Sequence, residues 1–135
     1  MNCVRFMIPG KPVGKARPRI GANGAVYTPN NTKKYEKMVG VLYREAKGPY
    51  FEKGVPLVVE ILANYPKSKN NNKKIYPTGK PDLDNVAKII LDGLNGVAWH
   101  DDAQVVGLYV EKYYASDPHV LVQVREVGVD EKKES

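Results

Sequence analysis

Residues 55–65 read VPLVVEILANY, and residues 82–95 read DLDNVAKIILDGLN. Every second position of the first segment is apolar, which predicts a strand with one buried face; these positions are Leu57, Val59, Ile61 and Ala63. Apolar residues recur at helical spacing in the second segment, which predicts a helix with one apolar face; these are Leu83, Val86, Ile90 and Leu94. A strand followed by an amphipathic helix is typical of a domain in which helices pack on a sheet.

The flanking sequence extends this pattern. Residues 3–8 predict a strand that ends at a Pro-Gly pair, and residues 10–31 predict a loop that contains a short strand at 25–28. Thr32 is the predicted N-cap of a helix over 32–47, and Gly48 follows that helix. Residues 66–81 predict a mobile loop, and two strands are expected at 104–114 and 119–127 with a turn at 116–118. The resulting order β-α-β-α-β-β predicts a small single domain of the α/β (α+β) class. We expect a mixed β-sheet with two main helices packed mainly on one side.

The amino-acid composition is that of a compact globular domain. The chain has 135 residues, of which 42% are hydrophobic and 27% are charged. These values fit one compact domain, expected over 1–127 with a polar tail at 128–135, and they exclude collagen, a disulfide scaffold and wholesale disorder. No apolar run approaches the roughly 20 residues that span a bilayer, so we expect no membrane association. The lone Cys3 cannot form an internal disulfide, which predicts a cytoplasmic location.

Charge is unevenly distributed along the chain. Twenty-one basic residues against fifteen acidic ones give a net charge of +6. Residues 1–35 and residues 61–81 contain no acid, whereas five acids fall between residues 82 and 102. Two basic tracts around an acidic cluster indicate a polyanionic partner bound beside a cation site. The alternative is that the lysines only keep loops soluble.

The acidic cluster contains a candidate metal site. Asp82 and Asp84 are separated by one residue at the start of the predicted helix, where an extended backbone would place both carboxylates on one side. Asp102 follows the helix, where the chain can return toward its start. Carboxylates held together repel one another unless a cation lies between them, and Mg²⁺ uses one or two carboxylates together with water and phosphate oxygens. Helix capping is the alternative, but it explains one aspartate better than it explains two.

Three further residues near this cluster have open roles. Lys88 lies one helical turn after Asp84, where it could stabilise negative charge on a phosphate or form an ordinary surface ion pair with Asp84. His100 could act as a base, but the sequence does not fix a partner for it. Trp99 is more often a core residue than a surface for base stacking.

The segments KPDLDNVAKIILDGLNG at residues 80–96 and WHDDAQV at residues 99–105 resemble the RusA family of Holliday-junction resolvases. PGKP at residues 9–12 and KARPR at residues 15–19 resemble the N-terminal segment of phage and prophage members. The resemblance extends from the first predicted strand to residue 127. It implies a RusA-like fold and Mg²⁺-dependent cleavage of four-way junction DNA by a homodimer, with Mn²⁺ able to substitute.

The same resemblance implies roles for individual residues. The essential acids of the family fall on Asp82, Asp84 and Asp102, which would be both catalytic and metal-binding, and the functional lysine falls on Lys88. Asp101, next to Asp102, matches the family's paired acid, without a ligand role being implied. We expect the DNA backbone to be contacted by five basic residues, Lys11, Lys15, Arg17, Arg19 and Lys80. Two other functions stay open: a different Mg²⁺-dependent nuclease acting on branched DNA or RNA, and a basic nucleic-acid-binding module without catalysis.

Overall fold

The computed structural model describes residues 2–27, 29–68 and 75–128. Six strands and two helices lie in these ranges. The strands are β1 (Cys3–Pro9), β2 (Arg19–Ile20), β3 (Val26–Tyr27), β4 (Leu57–Pro66), β5 (Val105–Ala115) and β6 (His119–Glu126). The helices are α1 (Asn30–Glu45) and α2 (Leu83–Leu94), and a 3₁₀ turn spans Asp102–Gln104. Neither helix has the length and apolarity that crossing a membrane would require.

Four strands form one mixed sheet in the order β1-β6-β4-β5, which confirms the predicted α+β class. Strand β6 is antiparallel to both β1 and β4, whereas β5 is parallel to β4. The predicted turn at 116–118 joins β5 to β6, but these two strands lie on opposite sides of β4 and do not pair with each other. Strands β2 and β3 form a separate two-stranded sheet within the predicted loop.

Both helices cover one face of the sheet. Alternate residues of β1, β4 and β6 are buried there, and Phe6 meets Tyr43 of α1 edge to face with ring centroids 5.8 Å apart. The helices approach each other closely through glycine: a Cβ on Gly93 would lie 2.8 Å from the backbone oxygen of Glu36. The opposite face of the sheet is exposed and carries Met7, Leu62 and Leu121.

The predicted elements are confirmed with shifted ends. Helix α2 begins after Asp82 and ends before Asn95, and Val86, Ile90 and Leu94 are fully buried. Leu83 is 36% exposed, so its inclusion in the apolar face is wrong. Leu83 is the first residue of the helix, and the buried face begins at Val86.

Helix α1 begins and ends two residues earlier than predicted. Pro29 occupies the N-cap position, and the backbone N–H of Thr32 donates to the side chain of Asn31 over 2.9 Å. Thr32 is therefore a buried first-turn residue and not the cap. Residues 69–74 of the predicted 66–81 loop and residues 129–135 of the predicted tail lie outside the described residues.

Candidate active site

The two closely spaced aspartates lie at the start of α2. Asp82 is the N-cap residue with extended backbone, Asp84 lies in the first turn, and both are exposed. The side chain of Asp82 makes no capping hydrogen bond. Helix capping, the alternative explanation for this pair, therefore does not account for the Asp82 carboxylate.

The segment before α2 is fixed by a buried tyrosine. The hydroxyl of Tyr65, at the end of β4, donates to the backbone oxygen of Pro81. Burial raises the pKa of Tyr65 to about 12, and the negative charge of Asp82 adds to this shift. The sheet thus positions the residue immediately before Asp82 and keeps a neutral hydroxyl beside that carboxylate at ordinary pH.

Lys88 projects into solvent from the second turn of α2. Within residues 2–27, 29–68 and 75–128, the ion pairs involve neither Lys88 nor Asp84. The surface ion pair between these two residues, which was the alternative role for Lys88, is not formed here. Its ammonium group is free of intramolecular acidic partners among the described residues and is available to a bound anion.

Asp102 lies beside the other end of α2. Its side chain hydrogen-bonds with Asn95, the C-cap residue of the helix. Burial raises the pKa of Asp102, a hydrogen bond with Asp101 and the charges of Asp101 and Asp92 raise it further, and the Asn95 hydrogen bond partly offsets these effects. Asp84 and Asp92 are eight residues apart on the helix, which corresponds to about 12 Å.

The acids therefore fall into two groups, Asp82 with Asp84 and Asp102 with Asp101. Across the described part of the chain, no three His, Cys, Asp or Glu side chains gather as a metal site. The first group still matches the donors that Mg²⁺ uses, because this ion is commonly held by one or two carboxylates, water and substrate phosphate. The chemistry of these exposed carboxylates fits a divalent cation, and the part played by Asp102 stays a prediction.

Gln104 fixes the backbone that carries Asp101 and Asp102. Its Oε1 atom accepts hydrogen bonds from the backbone N–H groups of His100 (3.0 Å) and Asp101 (3.1 Å). Its Nε2 atom donates to the backbone oxygens of Glu52 (2.8 Å) and Val55 (3.2 Å). Sequence reasoning did not single out this residue. The spacing Asp-x-x-Gln at 101–104, typical of a capping box, was the available signal, and the structure forms that box.

The other two residues near the acids, Trp99 and His100, have different environments. Trp99 is fully buried, and its Nε1 atom donates to the side chain of Asn95 over 2.6 Å. Trp99 is a core residue, as the sequence favoured. His100 is exposed, and its backbone bond to Gln104 places it on the same segment as Asp101.

The five predicted DNA-binding residues are not equivalent. Arg17 and Arg19 are exposed. Lys11 and Lys80, also exposed, line one groove of about 390 Å³ that Tyr65, Pro81 and Tyr114 complete. Because Pro81 precedes Asp82, two of the predicted cationic contacts line a groove that reaches the residue before the first acid of α2.

Lys15 differs because its ammonium group is already paired. It contacts the carboxylates of Glu36 (2.6 Å) and Asp92 (3.1 Å), and its side chain is 16% exposed. Burial opposes its charge, but the hydrogen bonds to these two carboxylates outweigh burial and raise the pKa of Lys15. The backbone N–H of Lys15 also donates to Asn85 over 2.9 Å. Lys15 thus attaches the basic N-terminal loop to both helices.

The sequence is similar to known proteins. Residues 9–125 match the family model described as "Endodeoxyribonuclease RusA". The uncharacterized protein YqaN of Bacillus subtilis (strain 168) is 36% identical, over 95% of this chain and 99% of that protein. The crossover junction endodeoxyribonuclease of Lactococcus phage r1t is 30% identical over 78 residues, which cover 57% of this chain and 60% of the phage protein.

Proposed function

Because the chain belongs to the RusA endodeoxyribonuclease family, we propose that it is a structure-selective nuclease that resolves Holliday junctions during DNA recombination and repair. One observation carries the proposal. Asp82 and Asp84 are exposed, Asp82 makes no capping hydrogen bond, and neither forms an ion pair among the described residues. The groove lined by Lys11 and Lys80 reaches Pro81, the residue before Asp82. Carboxylates beside a cationic groove are suited to a divalent cation and a DNA phosphate.

The proposed cofactor is Mg²⁺, with Mn²⁺ as a substitute. Asp82 and Asp84 at the start of α2 would hold it, and Asp102, which lies in the other acidic group, is proposed as a further ligand. When bound, the metal supplies Lewis-acid stabilisation of charge on the scissile phosphate and activates water for in-line attack. Lys88 is proposed to stabilise negative charge on that phosphate, since it is exposed and lies four residues after Asp84 on α2. Lys11 and Lys80 would hold the DNA backbone in the adjoining groove, with Arg17 and Arg19 extending the contact.

A homodimer follows from the symmetry of the substrate. A four-way junction has two opposed strands to cut, and a single cut leaves the duplexes joined. Two chains related by a two-fold axis would present one active site to each of these strands. We therefore propose paired cuts by a homodimer.

Cleavage of a labelled synthetic junction by aspartate variants tests this function. Asp82→Asn, Asp84→Asn and Asp102→Asn should each abolish cutting and leave junction binding equal or stronger, because each removes a carboxylate and a negative charge. Asp117→Asn is the matched control, since Asp117 is exposed in the turn between β5 and β6. Cutting at the wild-type rate by one of the first three variants would remove that residue from the catalytic set.

Substrate comparison separates this proposal from its alternatives. A different nuclease of this kind would cut flaps, simple branches or RNA at least as fast as a four-way junction. A binding module without catalysis would retain the junction but leave it intact with Mg²⁺ or Mn²⁺. The second alternative also needs the aspartates to act as helix caps, and Asp82 makes no capping hydrogen bond.

A further inference from the structure

Strand β5 has an unpaired outer side. It reads VVGLYVEKYYA and is the edge strand next to β4; within the described residues no other strand pairs with it. None of its eleven residues is buried. Val106 is 66% exposed and Tyr109 is 61% exposed, so apolar side chains on both faces of the strand contact solvent.

Proteins commonly protect an edge strand by making it short or by placing proline or charged residues in it. The opposite edge, β1, is shorter, with seven residues, and ends at Pro9. Strand β5 is longer, contains no proline and is rich in valine and tyrosine, and its charged residues are the neighbours Glu111 and Lys112. The two edges therefore differ, and β5 is the one suited to pair with a further strand.

We propose that β5 pairs antiparallel with β5 of a second copy of this chain, so that two four-stranded sheets join into one sheet of eight strands. The proposal gives a surface to the homodimer of the proposed function and rests on that function only for the choice of a dimer. Pairing of identical strands about a two-fold axis is closed, because it consumes both β5 edges. It leaves only the protected β1 edges at the ends of the joined sheet.

Charge and length select one register. A two-fold axis perpendicular to the sheet keeps residues of one face opposite residues of the same face in the partner. An axis at Glu111 or at Lys112 would place like charges directly opposite each other, which destabilises a strand pair. Val110 is the midpoint of Val105–Ala115, and an axis there pairs the full length of the strand.

The Val110 register also matches side chains across the interface. Tyr109 would lie opposite the partner's Glu111, and Leu108 would lie opposite the aliphatic stem of the partner's Lys112. Gly107 would face the partner's Tyr113, whose ring contacts Tyr76 of its own chain with centroids 6.1 Å apart. No pair in this register joins two like charges.

A single-cysteine chain tests the register. In the Cys3→Ser, Val110→Cys variant the two thiols would meet on the two-fold axis, where opposed Cα atoms lie about 4.5–5.5 Å apart, within the range of a disulfide. Mild oxidation should convert most of this variant into a covalent dimer. The wild-type chain is the control, because its exposed Cys3 lies on the β1 edge. A wild-type chain that cross-links under these conditions, beside a double variant that does not, would overturn the proposal.

A charge variant tests the surface without depending on disulfide formation. Leu108→Lys would place lysine opposite the partner's Lys112 and should raise the dimer dissociation constant at least tenfold in analytical ultracentrifugation. Leu121→Lys is matched to it, because Leu108 and Leu121 are 43% and 40% exposed and Leu121 lies on the open face of β6. Circular dichroism checks that both variants are folded.

The outcomes separate this surface from the proposed function. Loss of dimer in Leu108→Lys and its retention in Leu121→Lys would support the β5 pairing whether or not the protein cuts DNA. A wild-type monomer at micromolar concentration, or a dimer unaffected by Leu108→Lys, would overturn the pairing. Junction cleavage by that same protein would leave the nuclease proposal standing.

Discussion

Replacement of Gln104 by leucine should destabilise the protein more than any other single loss of a polar side chain around the acids. Gln104 is 8% exposed, and its amide group makes four hydrogen bonds to backbone groups. Gln104→Leu fills a similar volume but leaves two N–H groups and two carbonyl oxygens without this partner. A hydrogen bond contributes about 1 kcal/mol net, so we expect the free energy of unfolding to fall by about 2–4 kcal/mol.

Gln104→Glu separates the two halves of this network. A carboxylate still accepts from His100 and Asp101, but it cannot donate to the carbonyl oxygens of Glu52 and Val55. The variant should be destabilised at neutral pH and should recover part of the loss at low pH, where a protonated carboxyl can donate to one carbonyl. The pH dependence would identify donation to Glu52 and Val55 as the missing interaction.

Urea unfolding of the wild type and both variants measures the effect. Gln123→Leu is the control, because Gln123 bonds to Arg5 and Glu60 on the exposed face of the sheet, where water can replace its hydrogen bonds. That variant should change the free energy of unfolding by less than about 1 kcal/mol. If Gln104→Leu unfolds at the wild-type urea midpoint with an unchanged slope, the four bonds do not stabilise the fold and the reasoning is wrong.

Three further predictions concern charge. The double variant Arg17→Ala, Arg19→Ala should bind the junction more weakly and with a flatter salt dependence. Each phosphate neutralised contributes about −0.9 to the slope of log binding constant against log salt concentration on B-form DNA. An unchanged slope would remove both arginines from the interface. Lys15→Met should instead lower the free energy of unfolding by about 1–2 kcal/mol and leave the salt dependence of binding unchanged, because the ammonium group of Lys15 already pairs with two carboxylates. A flatter salt dependence with unchanged stability would contradict this. Burial raises the pKa of Tyr35 and Tyr65 to about 12, with Asp82 also contributing at Tyr65. Unfolded tyrosines ionise near pH 10, so the unfolded state releases protons first and the free energy of unfolding should fall between about pH 10 and 12; a single absorbance transition of all tyrosines near pH 10 would refute the shifts.

Local pattern was sufficient to predict most of the elements. The alternation from Leu57 to Ala63 and the helical spacing from Val86 to Leu94 both coincide with fully buried positions, because in each segment one face packs against the other elements. The first and last residues of the elements were harder to predict. Threonine is a residue type that often caps helices, which is why Thr32 was the predicted N-cap. Pro29 instead has the extended backbone of the N-cap residue, so α1 begins before Thr32. The order of strands could not be read from the chain, since the pairing of β6 with both β1 and β4 is a long-range choice.

The candidate site was predictable as a set of residues but not as an arrangement. The spacing predicts an extended segment with both carboxylates on one side, but only Asp82 has an extended backbone, and Asp84 already lies in the first turn of α2. The position of Asp102 depends on where the chain goes after α2. Buried Trp99 and Gln104 hold that segment beside Asn95, at the C-terminal end of the helix. The residue types of Trp99 and Gln104 do not indicate these contacts, so the position of Asp102 could not be predicted from the sequence.

Lys15 shows why a count of charges overstates the cationic surface. The first 35 residues contain seven basic residues and no acid, and sequence alone predicts that four of them, Lys11, Lys15, Arg17 and Arg19, contact a polyanion. The partners of Lys15 are Glu36 and Asp92, which lie outside that tract and reach it only through the packing of α1 against α2. One of the seven charges is thus neutralised within the fold. The backbone bond from Lys15 to the first turn of α2 also fixes the loop that carries Arg17 and Arg19, so a lysine lost to direct DNA contact anchors a segment whose two arginines stay exposed.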